Sequence, residues 1–139
     1  MFIGEYWYSM DQKGRVSIPA KLRDELGSEV MISRGFDKCL NIYPVKEWEA
    51  FAQKIKELPD AKQRHAKRYF FSSASEGAVD PQGRIAIPPV YRQFAGLEKD
   101  VVIIGNDNHL EIWSVTEWEN EQQHMSAEGI TEDLVEYGF

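Results

Sequence analysis

Residues 11–19 read DQKGRVSIP, and residues 80–88 read DPQGRIAIP. The shared pattern, D-x-x-G-R-x-x-I-P, is the visible part of a longer internal repeat, and a repeat constrains a fold more than any local propensity does. An offset of 69 positions aligns Asp11 with Asp80, Gly14 with Gly83, Arg15 with Arg84, Ile18 with Ile87, Pro19 with Pro88, Arg23 with Arg92 and Gly27 with Gly96. One additional residue near 97–100 moves the offset to 70. The match then continues through Gly35/Gly105, Leu40/Leu110, Ile42/Ile112 and the EWE at 47–49 and 117–119. The chain reads as two copies of one unit, at 5–48 and 76–119, with a helical connection at 49–75 and an acidic tail at 120–139. A unit of about 45 residues is too short to bury a core by itself, so the two copies are expected to fold together as a pseudo-symmetric pair.

Each unit is expected to run β–α–β–β after a short leading strand (EYWYSM or EGAVD). The glycine of QKG or PQG supplies the positive φ of a tight turn. RVSI and RIAI alternate, so Val16 and Ile18 face one way while Arg15 and Ser17 face the other. Pro19 and Pro88 stop these strands. AKLRDELG and PVYRQFAG each give a short helix closed by Gly27 or Gly96. EVMIS and DVVIIG read as buried strands, and CLNIYP and HLEIWS as alternating ones. Between the units, Trp48, Phe51, Ile55 and Leu58 form a core-facing helical stripe that Pro59 ends. A second helix follows, with Asp60 as its expected N-cap and Lys62, Arg64, Lys67 and Arg68 along it. That basic run reads as a solvated face or a subunit contact. The tail is expected to be partly ordered, with one amphipathic turn at Ile130, Leu134 and Val135.

The formal net charge of −7 argues against a general nucleic-acid coat protein. That sum hides an asymmetry. Residues 1–79 carry 13 Lys and Arg against 11 Asp and Glu, whereas residues 80–139 carry 3 against 12. A polyanionic partner should therefore meet the first half. The single cysteine, Cys39, fits a reducing cytosol and reads as a small buried hydrophobe. No apolar run reaches the length of a membrane span, and MFIGEYWYSM lacks the basic start of a signal peptide. Three scattered histidines show no ligand spacing, and no nucleophile elbow, P-loop or dinucleotide fingerprint is present. The expectation is a non-enzyme with no metal and no cofactor.

The doubled motif closely resembles the swapped-hairpin AbrB-like units of bacterial regulators and antitoxins. The two copies at this spacing, with EIW after the second, resemble the MraZ family of bacterial transcriptional regulators over about residues 1–119. The resemblance implies an α+β fold, a double-split β-α-β barrel made by pairing two pseudo-symmetric repeats, with connecting and flanking helices. It implies a DNA-binding regulator, a repressor of its own division and cell-wall operon. The partner would be double-stranded promoter DNA with short direct repeats, bound by a homo-oligomeric ring, often an octamer. The location implied is cytoplasmic and nucleoid-associated.

On this reading Asp11, Gly14, Asp80 and Gly83 build the motif, and Lys13, Arg15, Lys21, Arg23 and Arg84 are the candidate DNA contacts. Arg is suited to the task because its planar fork grips guanine O6/N7 or a phosphate with two bonds. The competing role of Arg15 is an ion pair with Asp11 across the turn; Arg84 stands between the two roles. Arg23 and Arg92 are open to a solvated role or a bridge to a neighbouring acid. Gln82 replaces Lys13 and Pro89 replaces Ala20 in the second copy, so the first copy is expected to do most of the DNA reading. The acidic second half would face away from DNA and suppress non-specific binding. Two other functions fit the residues: an AbrB-like antitoxin, or a structural ring or scaffold without a DNA role.

Overall fold

A computed structural model describes residues 1–139. In each repeat the motif aspartate opens a tight turn closed by its glycine, with φ 76° at Gly14 and 80° at Gly83. A three-residue strand follows, β2 (Arg15–Ser17) in the first repeat and β6 (Arg84–Ala86) in the second. Short helices come next, α1 (Ala20–Leu26) and α4 (Pro89–Ala95), each entered through proline and left through a positive-φ glycine. The leading strands are β1 (Glu5–Ser9) and β5 (Ser75–Ala78). The closing hairpins are β3 (Glu29–Arg34) with β4 (Leu40–Pro44), and β7 (Asp100–Asn106) with β8 (His109–Ser114). Between and after the repeats lie α2 (Val45–Lys56), α3 (Asp60–Ser72), α5 (Val115–Gln123) and α6 (Ala127–Val135).

The result is a mixed α+β fold with an antiparallel sheet ordered β1-β7-β8-β4-β3-β5 and a separate β2–β6 ribbon. Exchanging each strand for its counterpart in the other repeat returns the same order. The pseudo-dyad therefore passes between β4 and β8, and again between β2 and β6. Only the β3–β4 and β7–β8 hairpins pair within a repeat. β1 pairs with β7, β5 with β3, β4 with β8, and β2 with β6.

One face of the sheet, the ribbon and helices α1 and α4 enclose a single apolar cluster. Val16 and Ile18 from the first repeat meet Ile85 and Ile87 from the second, together with Val30, Ile32, Leu40, Ile42, Val101, Ile103, Leu110 and Ile112. Burying such a side chain contributes roughly 1.5–3 kcal/mol, while ordering each residue's backbone costs about 1–2 kcal/mol. A repeat that buried only its own half of this cluster would fall short, which is why the doubling matters.

The other face of the sheet is covered by helices, and here the structure departs from the expected alternation. All five residues of β4 are buried. β4 lies centrally, and Tyr43 on its outer face packs against Trp48 and Phe51 of α2 at ring distances of 5.6 and 5.4 Å. Trp118 of α5 covers Trp113 of β8 in the same way, beside Val102 and Cys39. Cys39 is buried as expected, and burial pushes its thiol well above the ordinary range.

Two expectations are corrected. Asp60 is not the N-cap of α3: Pro59 holds that position without a side-chain cap bond, and Asp60 is the first helical residue, where its charge still favours the helix dipole. The tail forms more than one turn. α5 extends to Gln123, and α6 is nine residues long, begun by Ser126, whose hydroxyl accepts the Gly129 N–H at 3.0 Å. Ser126 at the N-cap and Glu128 in the first turn favour a helix start there.

Candidate functional site

The chemistry of D-x-x-G-R is visible in the bonds of the turn. Asp11 Oδ1 accepts the backbone N–H groups of Lys13 and Arg15, both at 2.9 Å, and its Oδ2 accepts Nε of Arg15 at 2.6 Å. The Gly14 N–H closes the turn on the Asp11 carbonyl at 3.0 Å. Asp80 repeats the arrangement, accepting Gln82 N and Arg84 N at 2.9 and 2.8 Å and Arg84 Nε at 3.0 Å. One carboxylate thus satisfies two backbone donors and orients one guanidinium. The ion pair weighed for Arg15 is present, and Arg84 has its equivalent. Each aspartate engages its arginine through Nε alone. The terminal Nη groups of Arg15 and Arg84 make no hydrogen bond within the chain.

The β2–β6 ribbon brings both arginines to one surface. Val16 pairs with Ile85 and both point into the core, so Arg15, Ser17, Arg84 and Ala86 point outward. Arg15 lies opposite Ala86 and Arg84 opposite Ser17. The arginines are therefore diagonal neighbours across the pseudo-dyad, at a spacing of about 7–8 Å for such pairs. Sequence reasoning found both residues but not their union on one ribbon, because strand partners are not encoded in local periodicity.

The remaining candidates are placed differently. Lys13 sits exposed at the tip of the first turn, where the second has Gln82. Lys21 is exposed on α1 with its ammonium 5.1 Å from the Tyr6 ring centre. Arg23 is half-buried and meets no acid: its Nε donates to the Ile18 carbonyl at 2.8 Å, and its guanidinium lies against Gly83. Arg92, which sequence reasoning did not place at the site, lies against Gly14 in the same manner. Its alignment with Arg23 in the repeat was the available signal.

The turn is also an electrostatic unit. The Arg15 backbone N–H, followed by the Arg15 side chain and the Lys13 N–H, holds the Asp11 carboxyl below its ordinary 3.8, outweighing desolvation. The Arg84 N–H and side chain do the same for Asp80. A carboxylate depressed in the folded state adds stability that is complete above its unfolded value and is lost as pH falls through its folded value. The stability difference between the wild type and an Asp11→Asn/Asp80→Asn variant should therefore be constant from pH 7 to about 5 and shrink below about pH 4. Thermal midpoints measured across that range check this; a difference independent of pH would contradict it.

The ribbon can present two guanidiniums, each with free terminal donors and backed by a lysine at one turn, to a surface of anionic oxygens or base edges. Comparison with known proteins agrees on one family. The family model described as "MraZ protein, putative antitoxin-like" matches residues 1–68 and again residues 70–136. A protein of Natranaerobius thermophilus named "Transcriptional regulator MraZ" is 47% identical over 141 residues, covering 99% of both chains. Namesakes in Syntrophomonas wolfei and Alkaliphilus oremlandii are 44% and 47% identical over 143 residues, each covering 100% of both chains.

Proposed function

The chain belongs to the MraZ family, and on that premise we propose that it is a sequence-specific DNA-binding transcriptional regulator, a repressor of its own division and cell-wall operon. The observation that carries this reading is the outward β2–β6 ribbon, with Arg15 and Arg84 held by their Nε atoms and their Nη groups unengaged. A two-stranded ribbon fits the major groove of B-DNA, and an arginine fork matches guanine O6/N7 or a phosphate. Lys13 beside Arg15 makes the first turn net positive, whereas Asp80 and Arg84 cancel in the second. Arg15 is therefore the leading contact and Arg84 the second, with Lys13 and Lys21 on phosphates. The relatives' shared name supports a role in transcription.

The sheet and ribbon, related by their pseudo-dyad, correspond in this reading to a double-split β-α-β barrel. The doubled family match supports two repeats of one unit. A net charge of −7 with one basic ribbon per chain is weak equipment for binding DNA alone. A homo-oligomeric ring would present several ribbons to successive direct repeats and raise the effective concentration of each later contact. The unpartnered apolar residues of α6, Ile130 at 44% and Leu134 at 38% exposure, favour such self-assembly. The protein would reside in the cytoplasm, associated with the nucleoid.

A mobility-shift titration against DNA from upstream of the protein's own gene tests the proposal. The expected result is a sequence-specific shift whose affinity falls with salt by a log–log slope of about 0.9 per phosphate contact. Equal affinity for unrelated duplex, or a shift indifferent to salt, would sink it.

A further inference from the structure

The two repeats are coupled at a point that the motif alone does not reveal. The Ile18 N–H donates to the Gly83 carbonyl at 2.8 Å, and the Ile87 N–H donates to the Gly14 carbonyl at 2.8 Å. Each strand end is thus tied to the other repeat's turn glycine. The helix arginines lie over the same glycines, again crosswise. A methyl group at Gly83 would fall on Cζ, Nε and Nη1 of Arg23. A methyl group at Gly14 would lie 2.9 Å from both Cζ and Nε of Arg92. The glycines are needed for their positive φ and, separately, because an arginine from the other repeat occupies the space a side chain would take.

We infer that Arg23 and Arg92 are reciprocal positioning residues: the arginine of each repeat's helix holds the arginine-bearing turn of the other repeat. Arg92 in the second half sets the turn that carries Lys13 and Arg15. Arg23 in the first half sets the turn that carries Gln82 and Arg84. The two clamps differ in strength. Arg23 is itself fixed by its bond to the Ile18 carbonyl, and Ile18 is bonded to Gly83, so side chain, strand end and turn form one continuous series of contacts. Nε of Arg92 is buried with no hydrogen-bond partner. From the other repeat, the first turn is therefore held only by the packing of Arg92 and the Ile87 bond, and this crosswise hold is the looser of the two. That the turns face DNA rests on the function proposed above; the crosswise hold does not.

Amide hydrogen exchange in the DNA-free protein tests the inference. The Asp11 and Gly14 N–H groups report on the first turn, and Asp80 and Gly83 on the second, since each is bonded within its turn. Arg23→Ala should speed exchange at Asp80 and Gly83 by about tenfold or more while leaving Asp11 and Gly14 near the wild-type rate. Arg92→Ala should act on Asp11 and Gly14 instead, by a smaller factor. If the alanine variants lose their fold, Arg23→Lys and Arg92→Lys keep the charge without the planar guanidinium and should show the same crossed pattern. Equal acceleration at both turns would mean global destabilisation, and acceleration only in the mutated repeat, or none, would mean no crosswise hold; each overturns the inference. Should the wild type fail to bind DNA, the proposed function falls while the crossed exchange pattern stands.

Discussion

Residues 1–74 produced without the second half are expected to have no folded monomeric state. β1 pairs only with β7 and β2 only with β6, so two of the first repeat's four strands are left without any cross-strand partner. β4 is deprived of β8, and β3 of β5. Val16, Ile18, Leu40 and Ile42 would no longer have Ile85, Ile87, Leu110 and Ile112 to pack with in the core. The only strand pair left is the β3–β4 hairpin, which keeps α2 and α3 but loses its neighbours on both sides, and an isolated two-stranded hairpin is marginally stable at best. The amide NMR spectrum of the monomeric fragment should be collapsed, and adding residues 75–139 should restore native dispersion. A folded monomer of either half would contradict this account of the repeat.

The second large effect concerns binding. Arg15→Ala/Arg84→Ala should weaken specific DNA binding by about 10²–10³-fold, because each bidentate arginine–base pair is worth about 1–3 kcal/mol and the double variant removes both. Arg15→Ala alone should account for the larger part, because Lys13 stands beside it and no lysine stands beside Arg84. Assembly and fold should persist, as judged by sedimentation and by the thermal midpoint. Both side chains lie on the outer face of the ribbon, and the backbone N–H bonds that organise each turn end on Asp11 and Asp80. If sedimentation showed the assembly dissociating while the remaining protomer still bound DNA normally, the arginines would be structural.

Much of this architecture is legible in the residues themselves. The turn glycines, the outward Arg15 and Ser17, the proline-led helices and the buried Cys39 all follow from short-range rules, and all are observed. What stays hidden is non-local. Period-two patterning identifies EYWYS as a strand but cannot say that its partner is β7. The all-buried β4 reads as alternating because the aromatic cover supplied by α2 is a tertiary fact. Arg23 reads as a DNA contact, a solvated cation or a bridge to an acid because the groups it meets, the Ile18 carbonyl and Gly83, come together only when the repeats cross. The two-sided role of the motif aspartate, bonding backbone and guanidinium together, is half visible: the spacing of Asp11 and Arg15 suggests the ion pair, but nothing in it points to the paired N–H bonds.

The strand order also governs how the protein comes into being. Ser9 at the end of β1 meets Asp100 at the start of β7, 91 residues later in the chain. At a synthesis rate of about 5–20 residues per second, β1 leaves the ribosome about 5–20 s before its partner exists. The β3–β4 hairpin can close early, but the sheet edge beside it waits for β5, and the β2–β6 ribbon waits for the second motif. Nascent chains of this protein therefore spend most of their synthesis with Tyr6 and Tyr8 uncovered, and the ribbon cannot form until Ala86 has been made, with β7 and β8 still to follow.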